Sequence, residues 1–212
     1  MSEIKLYYFD VYGRAEAIKM LLHHAKVEYT NVIVNKEGAE KMKAEGHLEF
    51  GQVPVVEHNG KFFSQSNSIL RFFGAKHGYY PADPVESWRV DSTIDSVGDL
   101  TNAFMKAKFE TDPEKQKEMF TIVFTKTIPA WLTIIEKRLV ENSSKDHIVG
   151  DKWTIADFVL CAIFNSFFLN EANEQFPILN PVIKSHEHVF HYAENMNKEL
   201  ADHLAKRGPR PF

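Results

Sequence analysis

Residues 50–66 read FGQVPVVEHNGKFFSQS, and this stretch decides the fold. Val53–Glu57 and Lys61–Phe63 are strand-like runs on either side of His58-Asn59-Gly60, and Asn-Gly is a strong hairpin signal because both turn positions need positive φ. Pro54 has no N–H to give to a ladder, so its strand starts at an edge or a bend. Ser66 can cap the helix that follows, whose apolar face holds Ile69, Leu70 and Phe73 and whose stop is Gly78. Backward from the hairpin, Ile4–Phe9 is a short apolar and aromatic strand broken at Tyr12-Gly13. Ile18, Leu21, Leu22 and Ala25 then recur at i, i+3, i+4 and i+7, one face of a helix. Tyr29–Val34 returns to β-branched residues, and the polar run Lys36–Glu45 predicts a short exposed helix. The order β-α-β-α-β-β-α over residues 1–78 predicts an α/β unit with a mixed sheet.

Forward from the hairpin the composition changes. Residues 79–84, YYPADP, hold two prolines within four positions and read as a linker. From residue 85 to 212 no strand alternation follows, only helix-period segments over 88–109, 113–140, 154–170 and 181–206, the last with an interruption. These predict an all-helical second domain. Thr154-Ile155-Ala156-Asp157 is a capping-box pattern at the start of the third segment.

The chain has 212 residues, with 25 Lys and Arg against 29 Asp and Glu, a formal net charge of -4. That balance argues against nucleic-acid or anionic-membrane partners for the molecule as a whole. A lone cysteine, Cys161, excludes an intramolecular disulfide framework and a Cys-x-x-Cys redox pair. The start MSEIKLYYF is not a signal peptide, and no uninterrupted apolar run is long enough for a membrane span. The expected setting is cytoplasmic.

A cis Val53-Pro54 bond would turn the Val53 amide and carbonyl outward toward an extended peptide ligand, while the Ser66 amide at a helix start could hold a carboxylate. Gln65 adds a side-chain donor beside it. Together with Leu6-Tyr7-Tyr8-Phe9, Gly13-Arg14-Ala15-Glu16 and Trp153-Thr154-Ile155-Ala156-Asp157-Phe158, these pieces stand in one order along nearly the whole chain. The sequence thereby resembles the cytosolic glutathione transferases, nearest to the sigma class that includes the haematopoietic type of prostaglandin D synthase.

The resemblance implies a thioredoxin-like first domain, an all-helical second one and glutathione as co-substrate. It makes Tyr8 the donor to the glutathione sulfur and sets Arg14 near that sulfur. Gln65 and Ser66 correspond to the γ-glutamyl carboxylate site, Val53 beside Pro54 to the partner of the cysteinyl backbone, Lys43 to the partner of the glycyl carboxylate, and Gln52 to a further glutathione-binding position. Asp99 would reach the glutathione of a neighbouring subunit, which implies a homodimer. The second-substrate pocket, for a small hydrophobic electrophile, would include Phe9, Tyr12, Met105 and Phe109.

There are departures from the family pattern. No tryptophan lies between Asn35 and Glu45, Gln52 stands where lysine is frequent, and Lys106 replaces an aromatic residue of the prostaglandin synthase. Gly98 replaces an aspartate used there for a divalent ion, so no metal is expected. The implied activity is conjugation of glutathione to apolar electrophiles. The alternatives are a glutathione-dependent isomerase or peroxidase, or a non-catalytic, ligand-binding or crystallin-like protein.

Overall fold

The computed structural model describes residues 3–212. Four strands, β1 (Ile4–Tyr8), β2 (Thr30–Ile33), β3 (Val55–His58) and β4 (Lys61–Ser64), form one mixed sheet in the order β2-β1-β3-β4. β1 runs parallel to β2, with Tyr8 opposite Ile33, and antiparallel to β3, with Leu6 opposite Val56. Asn59 (φ 53°) and Gly60 (φ 70°) make the β3–β4 turn with the paired positive angles that Asn-Gly predicts. Helices α1 (Glu16–His24), α2 (Lys36–Ala44) and α3 (Ser66–His77) complete this α/β unit. α1 follows a single 3-10 turn and buries Ile18, Leu21 and Leu22 as its periodicity predicts. Gly78 ends α3 at φ 82°, but its N-cap is Gln65, and Ser66 is already helical.

The rest is helical: α4 (Pro84–Lys108), α5 (Pro113–Ile122), α6 (Ile128–Glu141), α7 (Ile155–Ile163), α8 (Phe176–Lys184), α9 (Glu187–Glu199) and α10 (Ala201–Lys206). α4 starts four residues earlier than its apolar period suggests. The Asp83 carboxylate accepts from the Val85 and Glu86 amides, both at 2.9 Å, and Pro84 takes the first helical position, where its missing N–H costs nothing. A π-helical turn, Val123–Thr127, separates α5 from α6, and a second, Phe164–Phe168, extends α7. Pro181 lies inside α8 and does not open a helix. Among the described residues the run Pro113–Glu141 is apolar and long enough to cross a membrane by length and composition. Its α6 part turns Trp131, Leu132, Ile135 and Leu139 into the protein's own core.

One continuous core joins the two halves, from Ile4 and Leu6 in β1 to Met196 and Leu200 at the end of α9. The joint is built by α1 and α3 against α7. A Cβ on Gly74 would overlap the Ile155 side chain, so glycine lets α3 meet the start of α7. The Ile155 amide donates to the Tyr79 carbonyl at 2.9 Å across the same contact.

All nine residues of α7 are buried, so its N-terminal amides have no water to turn to. The expected capping box is present, and Asp157 does more than close it. Its Oδ2 accepts from the Thr154 amide (2.7 Å) and hydroxyl (2.8 Å), and its Oδ1 from the Ile148 amide (2.9 Å) and the Tyr192 hydroxyl (2.6 Å). Burial pushes this carboxyl's pKa upward and the four donors oppose it. Asp157→Ala removes the acceptor and strands four buried donors. We expect a loss of about 3 kcal/mol of unfolding free energy, read as a lower urea midpoint at unchanged slope. A loss below about 1 kcal/mol would mean that the donors find other partners.

Candidate functional site

Burial alternates along β1, so that Ile4, Leu6 and Tyr8 face inward while Lys5 and Tyr7 are only partly covered. Tyr8 ends the strand, and its hydroxyl accepts the Arg14 backbone N–H at 3.0 Å. This contact depends on the residue between them. Gly13 has φ +41°, and a Cβ there would lie 2.5 Å from the Tyr8 hydroxyl oxygen. Burial pushes the Tyr8 phenol above its ordinary pKa, and the Arg14 amide and charge pull the other way. The phenol is therefore protonated at neutral pH. With its oxygen accepting from Arg14, its own proton is free to be donated into the adjacent cavity.

That cavity, ≈ 390 Å³, lies between the two halves of the chain. The α/β half contributes Tyr8, Val11, Gly13 and Arg14 after β1, and Ser66, Asn67 and Leu70 at the start of α3. α4 contributes Ile94, Val97, Gly98, Thr101 and Met105, spaced as one helix face. Val159, Ala162 and Ile163 of α7 and Ser166 and Phe167 of its π-helical extension form the opposite wall. The space is thus mostly apolar, with the Tyr8 hydroxyl, Arg14 and the amino end of α3 at one side.

The backbone before β3 and before α3 is unusual. Val53-Pro54 is cis, and Val53 lies outside the β1–β3 register, which begins at Val55. Gln65 holds φ 68°, a left-handed conformation uncommon for a side-chain-bearing residue and concentrated at functional sites, immediately before the free amides of α3. Lys43, exposed at the end of α2, runs over Gly51, its Nζ 3.8 Å from where a Gly51 Cβ would be, which brings it to the loop carrying Gln52 and Val53. Tyr8, Arg14, Ser66 and Met105 thus line one cavity, Gln65 adjoins it, and Lys43, Gln52, Val53 and Pro54 form a separate loop group. Asp99 is exposed on α4 and does not line the cavity.

Phe9, Tyr12 and Phe109, expected in the second-substrate pocket, do not line it. Phe9 is 40% exposed just past the end of β1, its ring centre 5.8 Å from that of Tyr8. Phe109 is 72% exposed at the cap just past the end of α4. Tyr12 is buried, but against the chain's end: its hydroxyl donates to the Gly208 carbonyl and accepts the Arg210 amide, and the Arg207 guanidinium stacks on its ring at 4.0 Å.

Through these contacts the tail takes the place meant for Tyr12. The Tyr12 amide donates to the Phe212 carbonyl at 2.8 Å, the Phe212 ring lines the cavity, and Lys108 lies 4.2 Å from the ring centre. Buried Glu16 anchors the arrangement, accepting from His203 (2.9 Å) and Arg207 (3.2 Å). Burial alone would raise the Glu16 pKa, but the His203 hydrogen bond and the charges of His203, Arg207 and Lys19 hold it below its ordinary value.

Sequence reading missed Asn67, Thr101, Ser166 and Phe167 as cavity residues. Thr101 was within reach, four residues before Met105 on the same helix face. Ser166 and Phe167 were not, since a π-helical turn shifts the 3.6-residue phase that would have assigned their faces.

Comparison with known proteins identifies a family for both halves of the chain. Residues 4–74 match the family model described as glutathione S-transferase, N-terminal domain, and residues 98–207 the one described as glutathione S-transferase, C-terminal domain. Glutathione S-transferase A4 of Mus musculus is 34% identical over 157 residues, 74% of this chain and 70% of that protein. A solved Nu-class GST from Haemonchus contortus has a TM-score of 0.84 at 29% identity and full coverage of both chains. A glutathione S-transferase from Necator americanus, described as monomeric, has a TM-score of 0.82 at 26% identity, covering 99% of this chain and 100% of its own.

Gly13→Ala tests the geometry of the Tyr8 hydroxyl. The added methyl group meets that oxygen, and the positive φ adds roughly 1 to 2 kcal/mol of strain. Turnover with glutathione should fall about tenfold or more while the melting temperature drops only a few degrees. Unchanged turnover would show that the hydroxyl's placement does not depend on the turn.

Proposed function

The chain belongs to the glutathione S-transferase family, and we propose that its Tyr8 cavity joins the thiolate of glutathione to small apolar electrophiles. The observation that carries this reading is the protonated, buried Tyr8 hydroxyl, fixed by the Arg14 amide and facing an apolar cavity beside the amino end of α3. Glutathione brings two carboxylates, one ammonium and a thiol. The amides at the start of α3, with Gln65 and Ser66, suit the γ-glutamyl carboxylate. The outward edge at cis Val53-Pro54 suits the cysteinyl backbone, and Lys43 and Gln52 suit the glycyl end.

A free thiol has a pKa of ~8.5, so only a few per cent is ionised at neutral pH. A hydrogen bond to a charged acceptor is worth about 1.5 to 3 kcal/mol, and at about 1.36 kcal/mol per unit the Tyr8 hydroxyl can lower the thiol pKa by one to two units. The Arg14 charge adds to the same effect. The thiol proton leaves to solvent, and the sulfur lone pair then forms the carbon–sulfur bond while the leaving group, or the electrophile's own π bond, takes the displaced pair. The apolar walls from α4 and α7 select hydrophobic electrophiles.

The finer reading is a sigma-class-like, cytoplasmic, homodimeric enzyme. The motifs around Tyr8, Val53-Pro54 and Gln65-Ser66 support the class, and Cys161, a free and buried thiol whose pKa burial pushes to about 12, suits a reducing compartment. Exposed Asp99 suits a role across a dimer. Isomerisation or peroxidation would use the same activated sulfur, whereas a crystallin-like, non-catalytic role would leave the Tyr8–Arg14 contact without a purpose.

Tyr8→Phe separates an enzyme from a non-catalytic binder. We expect retention on immobilised glutathione, a loss in turnover of a generic aryl halide of about ten- to a hundredfold, and a rise of one to two units in the apparent pKa of kcat/KM against pH. The activity appears as pH rises through the bound thiol's pKa, so removing the donor moves that limb upward. An unmoved profile would reject Tyr8 as the thiolate donor.

A further inference from the structure

A second cavity, ≈ 350 Å³, lies between the edge strand β2, helix α1 and the C-terminal tail. It is distinct from the Tyr8 cavity and shares only Val11 with it. Its two carboxylates are already occupied. Asp10 accepts from Arg210 Nε at 2.9 Å and Nη2 at 2.8 Å, and Glu16 accepts from His203 and Arg207.

Its other donors have no such partner. Among the described residues Lys19 Nζ, the Tyr29 hydroxyl, the Asn31 amide and Lys206 Nζ enter no hydrogen bond or ion pair, and all four residues line this one space. Lys19 and Tyr29 are half-buried, yet their polar atoms are not sealed from solvent. Burial lowers the Lys19 pKa against the pull of Glu16 and Asp10, the mark of an ammonium short of solvation and counter-charge. The Tyr29 phenol is pushed up to about 12, so it serves as a proton donor at neutral pH.

The lining carries four basic side chains, Lys19, Lys206, Arg207 and Arg210, against two carboxylates, a local excess of two positive charges before any charge on His23 or His203 is added. That sign opposes the chain's net charge of -4. An excess of two positive charges, with hydroxyl and amide donors beside it, matches the oxygens of a dianion and repels a metal cation. The volume is at the small end of ligand sites.

We propose that this cavity binds a small dianion, a phosphate ester or a polycarboxylate, through Lys19, Tyr29, Asn31 and Lys206. The site does not rest on the conjugation reading. The test is calorimetric titration of the full chain, saturated with glutathione and at fixed ionic strength, with inorganic pyrophosphate in one arm and citrate in the other. Saturable binding of one probe per chain is expected, with affinity reduced about tenfold or more by Lys19→Met, the loss of one charge-assisted hydrogen bond, and less by Tyr29→Phe. Glutathione-dependent turnover should be unchanged in both variants. Pyrophosphate alone binding assigns a phosphate ester, citrate alone a polycarboxylate, and both a site that reads charge only. The proposal is overturned if neither probe saturates at low millimolar concentration, if Lys19→Met and Tyr29→Phe both bind as the parent does, or if binding requires glutathione to be absent.

Discussion

The Asp157 carboxylate is the constraint on which the rest of the structure leans. It has no exposure to water and holds four donors, from the loop before α7, from the start of α7 itself and from α9. A helix buried on every side can begin only where something inside the protein satisfies its first amides. Once Asp157 does so, α7 is fixed in direction, and its faces meet α1 and α4 on one side and α9 on another. The far wall of the Tyr8 cavity is then set, because Val159, Ala162 and Ile163 lie on this helix. The near wall follows from α1, which meets α7 in the shared core and carries the Tyr8–Gly13–Arg14 turn at its amino end.

A second polar anchor governs the end of the chain. Buried Glu16 near the start of α1 requires partners, since an unpaired carboxylate in such a place is costly. Those partners, His203 and Arg207, come from α10 and the residue after it. Meeting the need of Glu16 therefore draws the last residues across Tyr12 and sets Phe212 against the cavity. The shape of the Tyr8 cavity is thus partly decided by a carboxylate that does not touch it. Acid weakens this tie: Glu16 has a lowered pKa in the folded chain, so the stability it contributes is present above its unfolded pKa and lost as pH falls through the folded value.

Much of this was legible along the chain, for local reasons. The Asn-Gly turn, the α1 periodicity, the Gly78 stop and the Thr154–Asp157 box each rest on contacts within a few residues, and each is present. The errors fall where a signal has two meanings. Pro84 reads as a breaker and acts as a first helical residue, with Asp83 as its cap. Tyr12 reads as a pocket aromatic and is instead claimed by a tail 196 residues away. Phe109 follows Met105 at helical spacing, but the helix ends between them. Local pattern gives the elements, whereas the lining of a cavity between two halves depends on helix phase and on which distant group satisfies a buried charge.

In the proposed reaction burial acts on both partners of the Tyr8 site, and this limits what the hydroxyl alone achieves. Desolvation raises the phenol's pKa, which keeps its proton in place but makes it a weaker acid. The same desolvation disfavours a thiolate in the cavity. A single neutral donor would then recover little more than it loses. Arg14 changes the balance in two ways. Its backbone N–H occupies an acceptor position of the Tyr8 oxygen, which polarises the phenol and leaves its proton to face the cavity. Its cationic side chain lines the same space and favours the charged form of an incoming thiol. The first of these depends on Gly13, whose missing side chain lets the Arg14 amide come within 3.0 Å of the hydroxyl. On the proposed reading the reactive unit is therefore the Tyr8–Gly13–Arg14 turn, and the tyrosine is its visible end.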